Sequence, residues 1–264
     1  MTIPERPRHE IHRALNAWSA ASLTCIVAMP VLAAAANAPA AKPDAAAAAL
    51  DGFETARLII EYNSTDRDVG VQFHVDAEQW QQVTILDPSG HAIYTATAKG
   101  RLLRSGGGSE MFVEGDEPGL DEVALEQFFN TFPEGTYRFV GRTPDGDTLS
   151  ATSTFTHHIP SGPVVIMPVP SAGERCAANT PIPATIAWND VTTSIDGKPL
   201  RVDRYEVVIE TANTDFDVHL PKDVRMVTVP AEFLKPGRRY TFEVLAIEPG
   251  GNQTITSSCF VTSQ

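Results

Sequence analysis

The sequence predicts an all-β chain of two tandem β-sandwiches, the first holding one short inserted helix. Three observations predict it. Short runs rich in β-branched and aromatic residues alternate apolar with polar and are separated by Asn, Asp, Gly and Pro turns. Only one stretch has a helical period. A segment near the end of each half repeats one order: an apolar residue, Pro, Gly, Tyr, Phe, a turn and a Thr/Ser-rich strand (residues 132–156 and 234–262).

Before the first strand, residues 1–36 carry Arg6, Arg8 and Arg13, then an apolar run from Ala17 with small residues that offer cleavage after Ala36. A basic segment, an apolar core and small residues make a secretory signal peptide. A membrane anchor is the competing reading, but the run is rich in Ala, contains Pro30 and lacks a basic stop-transfer cluster. Residues 37–55, Ala/Pro-rich with little to bury, read as a flexible tether.

The first sandwich is expected over 56–158. Strands at 56–63, 69–76, 80–87 and 91–98 read as an antiparallel meander, 104–110 as a flexible loop, and 120–130 as the helix, capped by Asp121 with Val123, Leu125, Phe128 and Phe129 on one side. Strands at 135–143 and 148–157 complete it, with Asp145-Gly146 in the turn between them. Residues 159–175 hold several prolines and read as a linker that becomes an edge strand, because proline cannot donate to a ladder. Strands resume at Pro183 and run to the end of a second domain, 176–264.

In that second domain an apolar strand ends in Trp188, another carries Tyr205, and Leu234-x-Pro236-Gly237-x-x-Tyr240-x-Phe242-x-Val244-x-Ala246 follows, with Gly250 or Gly251 beyond. This order resembles a fibronectin type III or immunoglobulin-like β-sandwich domain. The resemblance implies a structural core of Trp188, Tyr205, Leu234, Pro236 and Tyr240, with the Trp188 ring between the sheets and the Tyr240 hydroxyl bonded to upstream backbone. The first half of the first domain is similar to segments of exported bacterial proteins.

Cleavage would leave two cysteines, Cys176 and Cys259. An even count in an exported chain suggests one disulfide, with two buried free thiols as the alternative. The sandwich resemblance implies the same pairing, since it brings the first strand's exit loop and the last strand's end to one pole.

The cleaved chain would carry 17 basic and 31 acidic residues. A field of that sign disfavours nucleic acid and anionic membranes and favours a cation or a basic partner face. No membrane insertion is expected after cleavage. Glu61, Asn63, Asp66 and Asp68 cluster within eight residues and are the candidate ligands for Ca²⁺, which takes oxygen donors. The competing reading is a hairpin turn tied by Asn/Asp side chains. A second acidic run, 114–122, strengthens the cation reading only if folding brings it alongside. His157-His158 point to opposite faces of a strand, and His74, His91 and His219 stand singly, so all read as solvated or hydrogen-bonded. Trp80, Tyr62 and Tyr94 read either as a platform for carbohydrate or as core and cross-strand partners. Asn63 and Asn252 begin N-x-T tripeptides, acceptors in a glycosylating compartment.

Nucleophile-elbow, phosphate-loop and H-E-x-x-H motifs are absent from the sequence. The expectation is a non-catalytic module, secreted or periplasmic, that binds a protein partner at the bacterial envelope. A calcium- or carbohydrate-binding module with its site on the first domain is the alternative, and a hydrolase with paired carboxylates the third reading.

Overall fold

Alternation of buried and exposed positions marks strands such as Gly135–Arg142, where Tyr137 and Phe139 point inward and Thr136 and Arg138 outward. The computed structural model describes residues 50–264, which belong to one compact unit. The segment expected to be a signal peptide, residues 1–36, and most of the expected tether lie outside the described residues.

The first half runs β1 (Leu50–Asp51), β2 (Thr55–Asn63), β3 (Asp68–Trp80), β4 (Gln82–Leu86), β5 (Ala92–Thr97), α1 (Gly100–Arg104), β6 (Gly108–Glu114), α2 (Leu125–Thr131), β7 (Gly135–Arg142) and β8 (Thr148–Phe155). The second runs β9 (Val165–Met167), β10 (Ala177–Thr180), β11 (Ala184–Trp188), β12 (Arg204–Glu210), β13 (Asp215–Pro221), β14 (Met226–Val229), β15 (Arg239–Ile247) and β16 (Gln253–Thr262).

Among the described residues three sheets enclose two main cores. The sheet β1-β8-β7-β4-β5 packs on β2-β3-β6 around Leu58, Ile60, Val71, Val83, Ile85, Tyr137, Phe139 and Phe155. The sheet β14-β11-β9 packs on β13-β12-β15-β16 around Ile186, Trp188, Tyr205, Val207, Phe242, Val244 and Phe260. Each large side chain so buried contributes about 2 kcal/mol relative to exposure.

β2-β3-β6 and β13-β12-β15-β16 are parts of one eight-stranded sheet. β16 joins them: Gln253–Ile255 pair in parallel with Glu61–Asn63 of β2, while Phe260 and Thr262 pair with β10. Asn252 locks this joint. Its Oδ1 accepts from Ile60 N (2.9 Å), its Nδ2 donates to Thr156 O (2.9 Å) and His158 O (3.2 Å), and its own N–H donates to Glu248 Oε1 (3.0 Å). With 3 % exposure and its amide fully engaged, Asn252 offers nothing to a glycosylating enzyme. Asn252→Ala removes the partner of the buried Ile60 N–H and of the part-buried Thr156 and His158 carbonyls, and is expected to lower unfolding free energy by about 2 kcal/mol. Urea unfolding checks this, and a loss below about 1 kcal/mol contradicts it.

Several expectations need correction. The tether ends before residue 55: Leu50 and Asp51 pair with Ala151 and Ser150, and Phe53 is buried in the first core. β3 and β4 do not form a meander, because the chain changes sheets between Trp80 and Gln82. Alternation reports which residues face inward, not which sheet they join. The loop expected at 104–110 turns into β6, paired with β3 through Gly108↔Trp80 and Glu110↔Asp76. Gly107 and Gly108 are required there, since a Cβ would meet Trp80 at 2.3 Å and 2.4 Å.

Among the described residues there are two short helices, not one. α2 begins at Leu125 behind Ala124, and Asp121 does not cap it; residues 119–123 form a turn instead, with Glu122 N and Val123 N donating to Gly119 O. The expected linker is built into the fold. Ile159 sits in the first core, Pro160 O accepts from Thr254 Oγ1, Ser161 bonds Thr193, and β9 pairs with β11. Pro236 is exposed rather than part of the core, because it occupies the turn before β15 where Gly237 takes φ +64.

Candidate functional site: an acidic cluster on the shared sheet

Inward residues of β2 (Leu58, Ile60) leave Glu61 and Asn63 on the opposite face of the shared sheet. On the same face Gln72 of β3 lies across from Glu114 of β6, and Gln253 of β16 lies beside Glu61. Residues 115–120 then run along the start of β3, held by Gly115 N to Val71 O (2.8 Å), Val69 N to Pro118 O (3.3 Å) and Leu120 N to Arg67 O (2.7 Å). This path carries Glu117 over Gly70. A Cβ at position 70 would sit 2.7 Å from Glu117 Cγ, so glycine there makes the approach possible.

The result is a group of three carboxylates, Glu61, Glu114 and Glu117, with oxygens within 4.8 Å of one another. Two buried amides serve it. Gln72 Nε2 donates to Glu114 Oε1 (3.0 Å), and Gln253 Nε2 donates to Glu61 Oε2 and to Gln72 Oε1 (3.4 Å). An all-oxygen set of this kind suits a hard cation.

Of the four sequence candidates only Glu61 enters this group. Asn63 and Asp66 tie the β2–β3 turn: Asn63 Oδ1 accepts from Thr65 N (2.9 Å) and Asp66 N (3.1 Å), and Asn63 Nδ2 donates to Asp66 Oδ2 (3.3 Å). Asp68 pairs across from Asn63 at the start of β3. Glu114 and Glu117 were missed as ligands, although the acidic run containing them was the available signal; their place depends on the path of 115–120 along β3.

Burial first, then the charges of Asp66 and Glu61, push the Asp68 carboxyl up to about 6. An unfolded aspartate titrates near about 4, so the folded state holds the proton more tightly. The native state is therefore favoured below about pH 4, and that advantage is lost as pH rises to about 6 and beyond. Asp68→Asn is expected to raise stability at pH 7 by about 1 kcal/mol, a figure reduced for solvent screening of this half-buried group. At pH 3 the substitution should change nothing; a gain of equal size at both pH values contradicts the assignment.

Other candidates lie elsewhere. Trp80 is buried with its Nε1 donating to Ser109 O (3.0 Å), and Tyr62 and Tyr94 pack against the first core, Tyr94 on Phe73 (5.4 Å). They are core partners and not a platform for sugar rings. His74 meets Glu110 (2.9 Å), His91 meets Asp87 (3.5 Å), and His157 stacks on Phe129 (4.0 Å) with its Nε2 against Phe132 O (2.8 Å). A groove at the joint is lined by Glu134, Asp196 and Glu248 among others. Each of these carboxylates has a local partner: Glu134 accepts from His157 N, Asp196 pairs with Lys198 (2.7 Å), and Glu248 accepts from Gly250 N and Asn252 N. Hydrogen bonding from Lys198, with that from Ser194, holds Asp196 down at about 2. Burial pushes Glu248 up against the pull of its two backbone donors.

In the second half Cys176 and Cys259 are bonded to each other, with their Cα atoms 4.7 Å apart. Trp188 and Tyr205 are fully buried, Leu234 is in the core, and the Tyr240 hydroxyl accepts from Lys235 N (2.9 Å). The first half has the matching corner, where the Tyr137 hydroxyl donates to Pro133 O (3.1 Å). Among the described residues no helix is long and apolar enough to cross a membrane.

No protein-family model matches the chain, and no curated protein matches it. Among solved structures it is similar to a segment of two fibronectin type III domains from chicken tenascin, at 13 % identity over 80 % of this chain and 100 % of that one, with a TM-score of 0.28. It is also similar to a tetra-tandem repeat from the extending region of a large adhesion protein, at 13 % identity over 79 % of this chain and 50 % of that one (TM-score 0.27). A third is the BSP domain of a biofilm-associated protein, at 14 % identity over 81 % of this chain and 30 % of that one (TM-score 0.27). The chain spans half or less of the latter two. In its own geometry, three strands (β14-β11-β9) facing four (β13-β12-β15-β16), a buried strand Trp and a tyrosine corner, the second half has a fibronectin type III-like fold.

Proposed function

We propose that this chain is an exported, non-catalytic interaction module of the bacterial cell envelope, secreted or periplasmic, that binds a protein partner along strand β9. One observation carries the reading. Val164, Ile166, Met167 and Val169 are exposed by 44–60 %, and β9 is the last strand of its sheet. Met226 of β14, also exposed, shares a rung with Met167, both opposite Ala187 of β11. The apolar surface thus extends from the strand edge across the sheet face. Apolar surface gathered in this way marks a contact site, and an open edge accepts an extended segment by adding a strand. Pro163, Pro168 and Pro170 keep the edge short, which limits uncontrolled pairing. The arginine-then-apolar N-terminal segment and the paired cysteines support export. The chain's net charge of −13 favours a partner with a basic rim.

The test is capture from an envelope extract with immobilised protein and with Ile166→Lys, whose melting temperature should match the parent because the side chain is exposed. A stoichiometric protein held by the parent and lost from the variant supports the reading. Equal capture by both moves the contact off β9, and capture of no protein overturns the protein-partner reading.

The acidic group Glu61, Glu114 and Glu117 favours a second reading, a calcium-binding module. Under it Ca²⁺ raises the melting temperature, a chelator reverses the rise, and Glu117→Gln removes it. No shift with Ca²⁺ ends that reading.

A further inference from the structure

β12 and β13 form an antiparallel pair at one end of the shared sheet. Glu206 stands directly opposite His219, and Asp217, two residues before His219, points to the same side. The inward residues of these strands, Tyr205, Val207 and Ile209 with Phe216, Val218 and Leu220, pack on the second core, so all three polar side chains face away from it. We propose that Glu206, Asp217 and His219 form a binding site for a borderline divalent cation of the Zn²⁺ class, with one coordination position left open.

The geometry fits. Directly opposed residues and those two apart on a strand are the positions whose side chains can converge on one point above a sheet. The three ligand atoms already lie within 4.8 Å of one another, and His219 Nδ1 is 3.6 Å from Glu206 Oε2. With bonds of about 2.0–2.2 Å, ligands of a tetrahedral zinc stand roughly 3.4 Å apart. One pair is nearly at that spacing, and the other separations need to close by at most about 1.4 Å, within the reach of a side-chain rotation at exposed Asp217.

Chemistry then separates this group from the other. Ca²⁺ and Mg²⁺ take oxygen donors, which Glu61, Glu114 and Glu117 supply, whereas an imidazole nitrogen with two carboxylates selects Zn²⁺ and its neighbours. Among the described residues this is the only such group of three that includes a histidine. The contact between His219 and Glu206 is exchanged for two metal bonds, so neither residue has to be free beforehand. Three protein ligands leave a fourth position for water or for a donor from another molecule, and β13 is the last strand of the sheet, where such a donor has access.

The test uses the full chain without a histidine tag, titrated with Zn²⁺ and separately with Ca²⁺ by calorimetry. One saturable Zn²⁺ site is expected, weakened more than about tenfold by His219→Ala and by Asp217→Asn and unaffected by His74→Ala. Both altered positions are exposed, so the metal-free melting temperatures should match the parent. No Zn²⁺ binding, or binding of equal strength in His219→Ala, overturns the proposal. Ca²⁺ binding unaffected by these variants leaves the two groups as separate sites, and Ca²⁺ competing for the Zn²⁺ site overturns the assigned selectivity.

Discussion

Replacing Trp188 by alanine is expected to lower the unfolding free energy by about 4 kcal/mol, within the range for deleting a buried aromatic side chain. The indole is 1 % exposed, tilts against Tyr205 with ring centroids 5.4 Å apart, and belongs to the second core with Ile186, Phe242 and Phe260. Ile186, Tyr205, Phe242 and Phe260 are themselves fully buried. Tyr205 is fixed by its hydroxyl, which accepts from Val191 N (3.0 Å) and donates to Asp190 Oδ1 (3.2 Å), and the Arg225 guanidinium covers its ring at 4.8 Å. The indole Nε1 has no hydrogen-bond partner although it is buried. Trp188→Phe therefore removes a poorly placed polar group along with some volume, and its cost should stay below about 2 kcal/mol. Urea unfolding of the two variants separates packing from polarity. Equal losses would show that the N–H is satisfied in solution, and a Trp188→Ala loss below about 1 kcal/mol would remove the indole from the centre of the core.

Opening the disulfide should have an effect of similar size. Cys176 and Cys259 are 83 residues apart in sequence, and closing a loop of that length stabilises the fold by about 4 kcal/mol in the chain-entropy account. The bond lies just before β10, which pairs with the end of β16 through Ala177↔Phe260 and Thr180↔Thr262. Cys176→Ser with Cys259→Ser should lower stability by that amount, reductant should do the same to the parent, and reductant should leave the double variant unchanged. A loss under about 1 kcal/mol would mean that β10 and β16 hold each other without the link.

What the sequence disclosed follows from what a local pattern can record. Alternation in Tyr137-x-Phe139 and Phe242-x-Val244-x-Ala246 marks the buried face because neighbouring side chains on a strand point opposite ways. The corner at Tyr240 was legible from its spacing to Leu234 and Gly237, and the echo at Tyr137 turned out to have its own corner. The first strand of the second sandwich was hard to see because it is split, β9 pairing with β11 in one sheet and β10 with β16 in the other. Partners distant in sequence left no local trace. Glu61 and Gln253 are neighbours across 192 residues, and no pattern around either names the other. Gly70 provides the clearance for Glu117, a role that no residue near it in sequence announces. His219 looked solitary because its partner is across a strand pair, at Glu206.

The parallel pairing of β16 with β2 gives this fold a mechanical grain. Tension entering at Leu50 and leaving at Gln264 draws β2 toward its start and β16 toward its end, so the two strands are pulled past each other. Hydrogen bonds loaded in that direction share the force and yield together, whereas an end-loaded hairpin opens one rung at a time. Stretching by single-molecule force spectroscopy should therefore meet one shared rupture at the joint, and a gradual unzipping there would exclude it. A molecule pulled from its two ends would transmit force through its middle, where its two cores share one sheet.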